Sequence, residues 1–107
     1  MLANRGAIAM SALSLAELHR GLARFMPEAA LRRERLRDLL TVLPVLSFDA
    51  EAAGVYGRIV SQLGWSRNRA FDRLIAAHAL SLDLVIVTAN VADFADIPDL
   101  RVENWTA

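Results

Sequence analysis

The stretch "AIAMSALSLAEL", Ala7 to Leu18, decides how this chain is read. Its first four residues, Ala7 to Met10, are an apolar run of the kind buried in a sheet. With no proline or glycine between them, the spacing then turns helical, with Leu15, Leu18, Leu22 and Phe25 on one face. A strand running straight into a helix is the unit from which α/β layer folds are built. The stretch holds one charge, Glu17, and Ser14 with Glu17 fits an S-x-x-E capping box.

Outward from there the alternation repeats. Pro27 opens a helix over "PEAALRRERLRDLLTVL", and Pro44 ends it. "VLSF", Val45 to Phe48, is a second strand. Asp49 is placed to cap "AEAAGVYGRIVSQLG", which stops at Gly64. "WSRNR" is a polar, arginine-rich loop before the amphipathic helix "AFDRLIAAHALSL". "LVIVT", Leu84 to Thr88, is apolar and rich in β-branched residues, the strongest strand in the chain. "RVENW" is a weak last strand. Strands separated by helices predict a mostly parallel sheet. No internal repeat, linker or low-complexity segment is visible, and residues 1–107 read as a single domain.

Composition narrows the function. Apolar residues make up 55% of the 107, which is globular rather than disordered. Twelve basic residues, all Arg, balance twelve acidic ones, so there is no global attraction to nucleic acid. Binding of a polyanion then needs a local patch or a metal ion. The absence of cysteine excludes a disulfide framework and a thiol nucleophile. No G-x-S-x-G elbow or P-loop occurs. No apolar run reaches bilayer length, and helical spacing continues through the faintly signal-like start, so a cytoplasmic protein with no membrane partner is expected.

Three acids share one structural address. Glu17 and Asp72 fall early in helices, and Asp93 follows the strand "LVIVT". Strand-to-helix junctions of a parallel sheet lie along one edge, where ligands bind. Three carboxylates there suit Mg²⁺ or Mn²⁺, hard ions that prefer oxygen ligands. Each acid also has an ordinary reading: Glu17 as the capping-box partner, Asp72 as a complement to the helix dipole, Asp93 as loop charge beside Asp96 and Asp99. His19 reads as surface and His78 as a packed helix residue. Arg67, Arg69 and Arg73 form a basic cluster around Asp72. Trp65 and Trp105 are isolated, so no stacking platform for single strands is evident.

These blocks resemble a family. "SALSLAELHRGL", "RNRAFDRLIAAHAL" and "VIVTANVADF" are similar, in order, to conserved blocks of PIN-domain nucleases, specifically the VapC-type toxins of bacterial toxin–antitoxin pairs. The resemblance runs from about Ala7 to Trp105. It implies a three-layer α/β fold and an Mg²⁺- or Mn²⁺-dependent endoribonuclease that hydrolyses RNA phosphodiester bonds and is neutralised by a VapB-type antitoxin. Glu17, Asp72 and Asp93 would be catalytic and metal-binding, with Ser11, Thr88 and Asn90 supporting them. Arg20, Arg67, Arg69 and Arg73 would face RNA or the antitoxin. Leucine-rich helices suggest a homodimer.

One block departs from the family. Its first strand, central in the sheet order 3-2-1-4-5 and ending in an Asp motif, is missing here, and residues 1–5 contain no Asp. The chain thus reads as N-terminally truncated relative to the family. The sheet is expected to have a gap between "AIAM" and "LVIVT", which the chain must close, fill with a borrowed strand, or tolerate at a cost in stability. Loss of one carboxylate predicts reduced activity. The alternative is a catalytically inactive remnant that still binds an antitoxin, and a plain α/β protein without a metal site is the third reading.

Overall fold

The computed structural model describes residues 1–23 and 28–104. The readings of Phe25, Pro27 and Trp105 fall outside them. Among the described residues the order is β1 (Leu2–Asn4), β2 (Ala7–Ser11), α1 (Ala12–Leu22), α2 (Ala29–Val42), β3 (Val45–Leu46), α3 (Ala50–Leu63), α4 (Ala70–Leu82), β4 (Val85–Thr88) and β5 (Val102–Asn104). Short 3₁₀ turns at Arg67–Arg69 and Val91–Phe94 precede α4 and follow β4.

The five strands lie in the order β3-β2-β1-β4-β5. The expected gap is closed. Leu2–Asn4 occupies the central position and pairs antiparallel with both neighbours, Leu2 opposite Ala9 on one side and Ile86 on the other. The hairpin from β1 to β2 turns on Arg5 and Gly6, with φ of 48° and 82°. Two consecutive positive φ values give the turn whose twist matches that of paired strands, and glycine adopts this region at no steric cost. The other pairs, β2 with β3 and β4 with β5, are parallel. Four strands therefore run one way and β1 runs against them.

The crossover from β2 to β3 and that from β3 to β4 move in opposite directions along the sheet. Right-handed connections then place α1–α2 and α3–α4 on opposite faces, giving three layers. The core lies under α3 and α4: Val55, Ile59, Ile75, Ala76, Ala77 and Ala79 pack with Leu2, Ile86, Phe94 and Ile97. Ala76, Ala77 and Ala79 of α4 are fully buried, and short side chains let that helix sit close to the strands.

Helix starts follow local chemistry. Asp49 caps α3 as expected, its Oδ1 accepting from Ala52 N at 2.9 Å. Helix α1 starts earlier than the capping box predicted. Ser11 is its N-cap, with Oγ accepting from Leu13 N at 3.1 Å. The strand runs directly to Ser11, so this serine reaches the free amide before Ser14 can. Ser14 and Glu17 are thereby moved inside the helix. The third strand is shorter than "VLSF", ending at Leu46. No helix among the described residues is long and apolar enough to cross a membrane.

Candidate functional site

The C-terminal end of β4 and the first turns of α1 and α4 meet around a cavity of about 160 Å³. Asp72 reaches it from the first turn of α4, and Asp93 from the turn after β4. Thr88 and Asn90 line it at the end of β4 and just beyond, and Ser14 reaches it from α1. Two of the three predicted acids and two of the three supporting residues therefore come together. The turn that carries them is built locally. Asn90 N donates to Thr88 Oγ1 at 3.1 Å, and Asp93 N donates to the Asn90 carbonyl at 3.1 Å.

Burial raises the Asp72 carboxyl above its ordinary range, and the Asp93 charge raises it further. Arg69 acts in the opposite direction. Two carboxylates that line one small cavity form a site whose charge a divalent cation would offset. The donor set fits a small, hard ion. Two carboxylates with hydroxyl and amide oxygens nearby match Mg²⁺ or Mn²⁺, and Mg²⁺ keeps several waters and uses one or two carboxylates. Among the described residues no cluster of three or more acidic, His or Cys side chains is placed to hold a metal.

Glu17 is the predicted acid that stands apart. It sits in the second turn of α1 because the helix begins at Ala12. Its carboxylate accepts from Arg20 Nε at 3.2 Å and Nη2 at 2.8 Å, and this pairing holds it below the usual carboxylate range. Glu17 lines a different feature, the groove between α1 and α2. Arg20 is thus engaged within its own helix.

Ser11 is also placed elsewhere. It is 1% exposed, and its Oγ lies 2.7 Å from His78 Nδ1. It ties the start of α1 to the middle of α4 and does not line the cavity. Since Ser11 Oγ already accepts from Leu13 N, its own hydrogen is available to a neutral imidazole. Burial pushes the His78 imidazole below its ordinary range, against weaker opposing effects from the Ser47 backbone and Asp49. His78 is a packed helix residue, as expected.

The basic cluster divides. Arg73 is buried, donating from Nη1 to the Gly64 carbonyl at 2.5 Å and from Nη2 to Asp96 at 3.2 Å. It is an internal tie and has no exposed guanidinium to offer RNA or a partner. Arg69 is exposed, with Asp96 3.9 Å away. Arg67 is exposed, and no ion pair among the described residues engages it. Sequence reasoning missed Ser14 as a cavity residue, because it had assigned that serine to the cap.

An α/β sheet of order 3-2-1-4-5 between two layers of helices defines a class of fold, and the comparisons agree. Residues 1–100 match the profile of the PIN domain. The chain belongs to the PIN-domain family. It is 32% identical to Ribonuclease VapC2 of Rickettsia felis, over 98% of this chain and 79% of that one. It is 35% identical to the tRNA(fMet)-specific endonuclease VapC of Shigella flexneri, over 96% and 79%. The DNA-bound VapBC structure from Salmonella typhimurium superposes with a TM-score of 0.80 at 31% identity, covering 91% of this chain and 74% of that one.

Proposed function

We propose that this chain is a VapC-type toxin, a ribonuclease that hydrolyses RNA phosphodiester bonds with Mg²⁺ or Mn²⁺ held by Asp72 and Asp93. The observation that carries the reading is the convergence of these two carboxylates on one small cavity at the end of β4 in a PIN-family sheet. When bound, the ion supplies Lewis-acid charge for the phosphoryl oxygens and activates water. Asp72 and Asp93 hold it in their ionised forms. Thr88 and Asn90 fix the turn that positions Asp93. Arg69, whose charge already acts on Asp72, offers a cation to the substrate phosphate.

The partner reading rests on the groove between α1 and α2. Leu18, Leu22, Leu36 and Leu39 line this cavity of about 350 Å³, with Arg32 and Arg35 also along it. An amphipathic helix with acidic flanks fits such a groove, which suits a VapB-type antitoxin. Leu36→Glu is expected to abolish co-purification with a co-expressed antitoxin while leaving the fold intact by circular dichroism.

Two acids rather than a fuller set predict slow cleavage, because catalysis tolerates little looseness at the metal. The pairing of Glu17 with Arg20 favours a second reading, an antitoxin-binding chain with no nuclease activity. The test is incubation of the purified chain with RNA and Mg²⁺ or Mn²⁺. Slow cleavage lost in EDTA and in Asp72→Asn supports the first reading. Antitoxin binding without cleavage supports the second. Cleavage that persists in an Asp72→Asn, Asp93→Asn double variant rejects the proposed site.

A further inference from the structure

The segment joining α3 to the candidate site reads Trp65-Ser66-Arg67-Asn68-Arg69-Ala70-Phe71, immediately before Asp72. Its large side chains are exposed: Trp65 at 65%, Phe71 at 38%, and the Arg69 side chain at 47%. Arg67 is exposed as well. Two aromatic residues therefore bracket two arginines along a surface ribbon. Trp65 is left mostly in water, and Phe71 keeps more than a third of its surface there.

The ribbon is held in place. Gly64 ends α3 in the left-handed region, with φ 81°. Arg69 N closes a turn onto the Ser66 carbonyl at 3.2 Å. The buried Arg73 guanidinium pins the Gly64 carbonyl at one end and Asp96 at the other. One end of the ribbon is also the site itself. Phe71 lines the same cavity as Asp72, Asp93 and Asn90, and the Arg69 charge acts on Asp72. The segment is not extended, since Arg67–Arg69 is a 3₁₀ turn and Ala70 begins α4, so it spans at most roughly 14 Å, room for about two nucleotides.

We infer that Trp65 and Phe71, with Arg67 and Arg69 between them, form the track that positions unpaired RNA against the acid pair. Bases stack on the two rings, and phosphates meet the two guanidinium groups. A duplex hides its base faces and cannot use the rings. The isolated tryptophan of the sequence thus gains a second aromatic and two cations as companions. A neutral chain acquires the local basic patch that a polyanion requires. This track rests on the ribonuclease reading, but binding and cutting can be measured separately.

The experiment measures anisotropy of a short, unstructured, fluorescein-labelled RNA with the full chain in EDTA, where binding proceeds without cleavage. Trp65→Ala and Phe71→Ala are each expected to weaken binding roughly five- to hundredfold, the range for loss of one stacked base. Trp65→Phe and Phe71→Tyr should restore most of it, and binding of the same RNA annealed to its complement should not change. The double variant Arg67→Ala, Arg69→Ala should flatten the salt dependence by roughly 1.4 in log–log slope. Wild-type affinity in both alanine variants overturns the track, as does a wild-type chain that binds no RNA. Loss of antitoxin co-purification with unchanged RNA binding overturns it in favour of a protein-binding ribbon. RNA that binds through the rings but stays uncut in Mg²⁺ upholds the track and counts against the ribonuclease reading instead.

Discussion

Leu2→Ala tests the feature on which this fold depends. Leu2 is the middle of no helix and belongs to a strand of three residues, yet it is 1% exposed. It stands opposite Ala9 in β2 and Ile86 in β4. Buried leucine-to-alanine changes cost about 2.7–5 kcal/mol, with the larger values where neighbours cannot collapse into the hole. The neighbours here include Ala76, Ala77 and Ala79, which have no length to lend. The expected cost is therefore in the upper part of the range, about 4–5 kcal/mol, against a typical domain stability of about 5–15 kcal/mol. In urea, with a slope of about 1.5 kcal/mol/M, the midpoint should fall by roughly 3 M. Ile8→Ala is the control. Ile8 pairs with Ala3, on the face opposite Leu2, and is 48% exposed, so its loss should cost about 1 kcal/mol or less. Coincident fluorescence and circular dichroism transitions would justify two-state treatment. Equal costs for the two variants would refute the placement of Leu2–Asn4 between β2 and β4.

Further outcomes are expected. Asp93→Asn removes a repelling charge, so the Asp72 carboxyl should titrate lower than in wild type by NMR; an unchanged titration would separate the two acids. For His78 the folded imidazole is held below the ordinary value of about 6.5. Its contribution to stability is complete above that value and is lost as pH falls toward the depressed folded pKa, because the unfolded chain takes up the proton first. Urea midpoints of wild type and His78→Gln should therefore converge as pH drops from 7 toward 5 by roughly the linkage slope; parallel profiles would dismiss His78 as the source. Arg73→Met keeps apolar bulk but removes the tie to Gly64, at a cost of about 1.5–3 kcal/mol, typical of a hydrogen bond to a charged group. Proteolysis near Trp65 should quicken in that variant.

Some of this was readable in the chain, and the reasons differ residue by residue. Asp49, Gly64 and the strand Val85–Thr88 follow from chemistry within a few positions, so local reasoning found them. Asp72 and Asp93 were placed at one edge because strand-to-helix junctions always share an edge. Leu2–Asn4 has no periodicity to detect, and its partner Ile86 lies far along the chain. Ser11 and Ser14 are equally good caps on paper. The choice went to Ser11 through the strand that ends there, and His78, 67 positions away, holds the same hydroxyl. Arg67, Arg69 and Arg73 look alike in sequence, and only the packing of Asp96 and the Gly64 carbonyl buries the third. Glu17 was assigned by pattern to a shared site, while its nearest strong partner was three residues away on its own helix.

Strand direction explains why closing the sheet does not complete the acid set. In a parallel central strand the C-terminal end would reach the edge where Asp72 and Asp93 sit, and the family resemblance implies an Asp there. Strand β1 runs the other way. Its Asn4 end lies at the opposite edge, beside Asp83 and Arg101, while Met1 lines the cavity with Asp72. Backbone pairing is indifferent to this reversal, since an antiparallel ladder satisfies the same N–H and C=O groups of β2 and β4. Catalytic chemistry is not indifferent, since a thioether is a weak acceptor and a poor ligand for a hard cation. The fold and the site thus make separable demands on the segment from Met1 to Asn4, which meets only the first. Changes in β1 that preserve Leu2 should alter stability little and leave metal affinity to Asp72 and Asp93. Calorimetric Mn²⁺ titration of Ala3→Val checks this, and a loss of affinity comparable to that of Asp72→Asn would show that β1 takes part in the site after all.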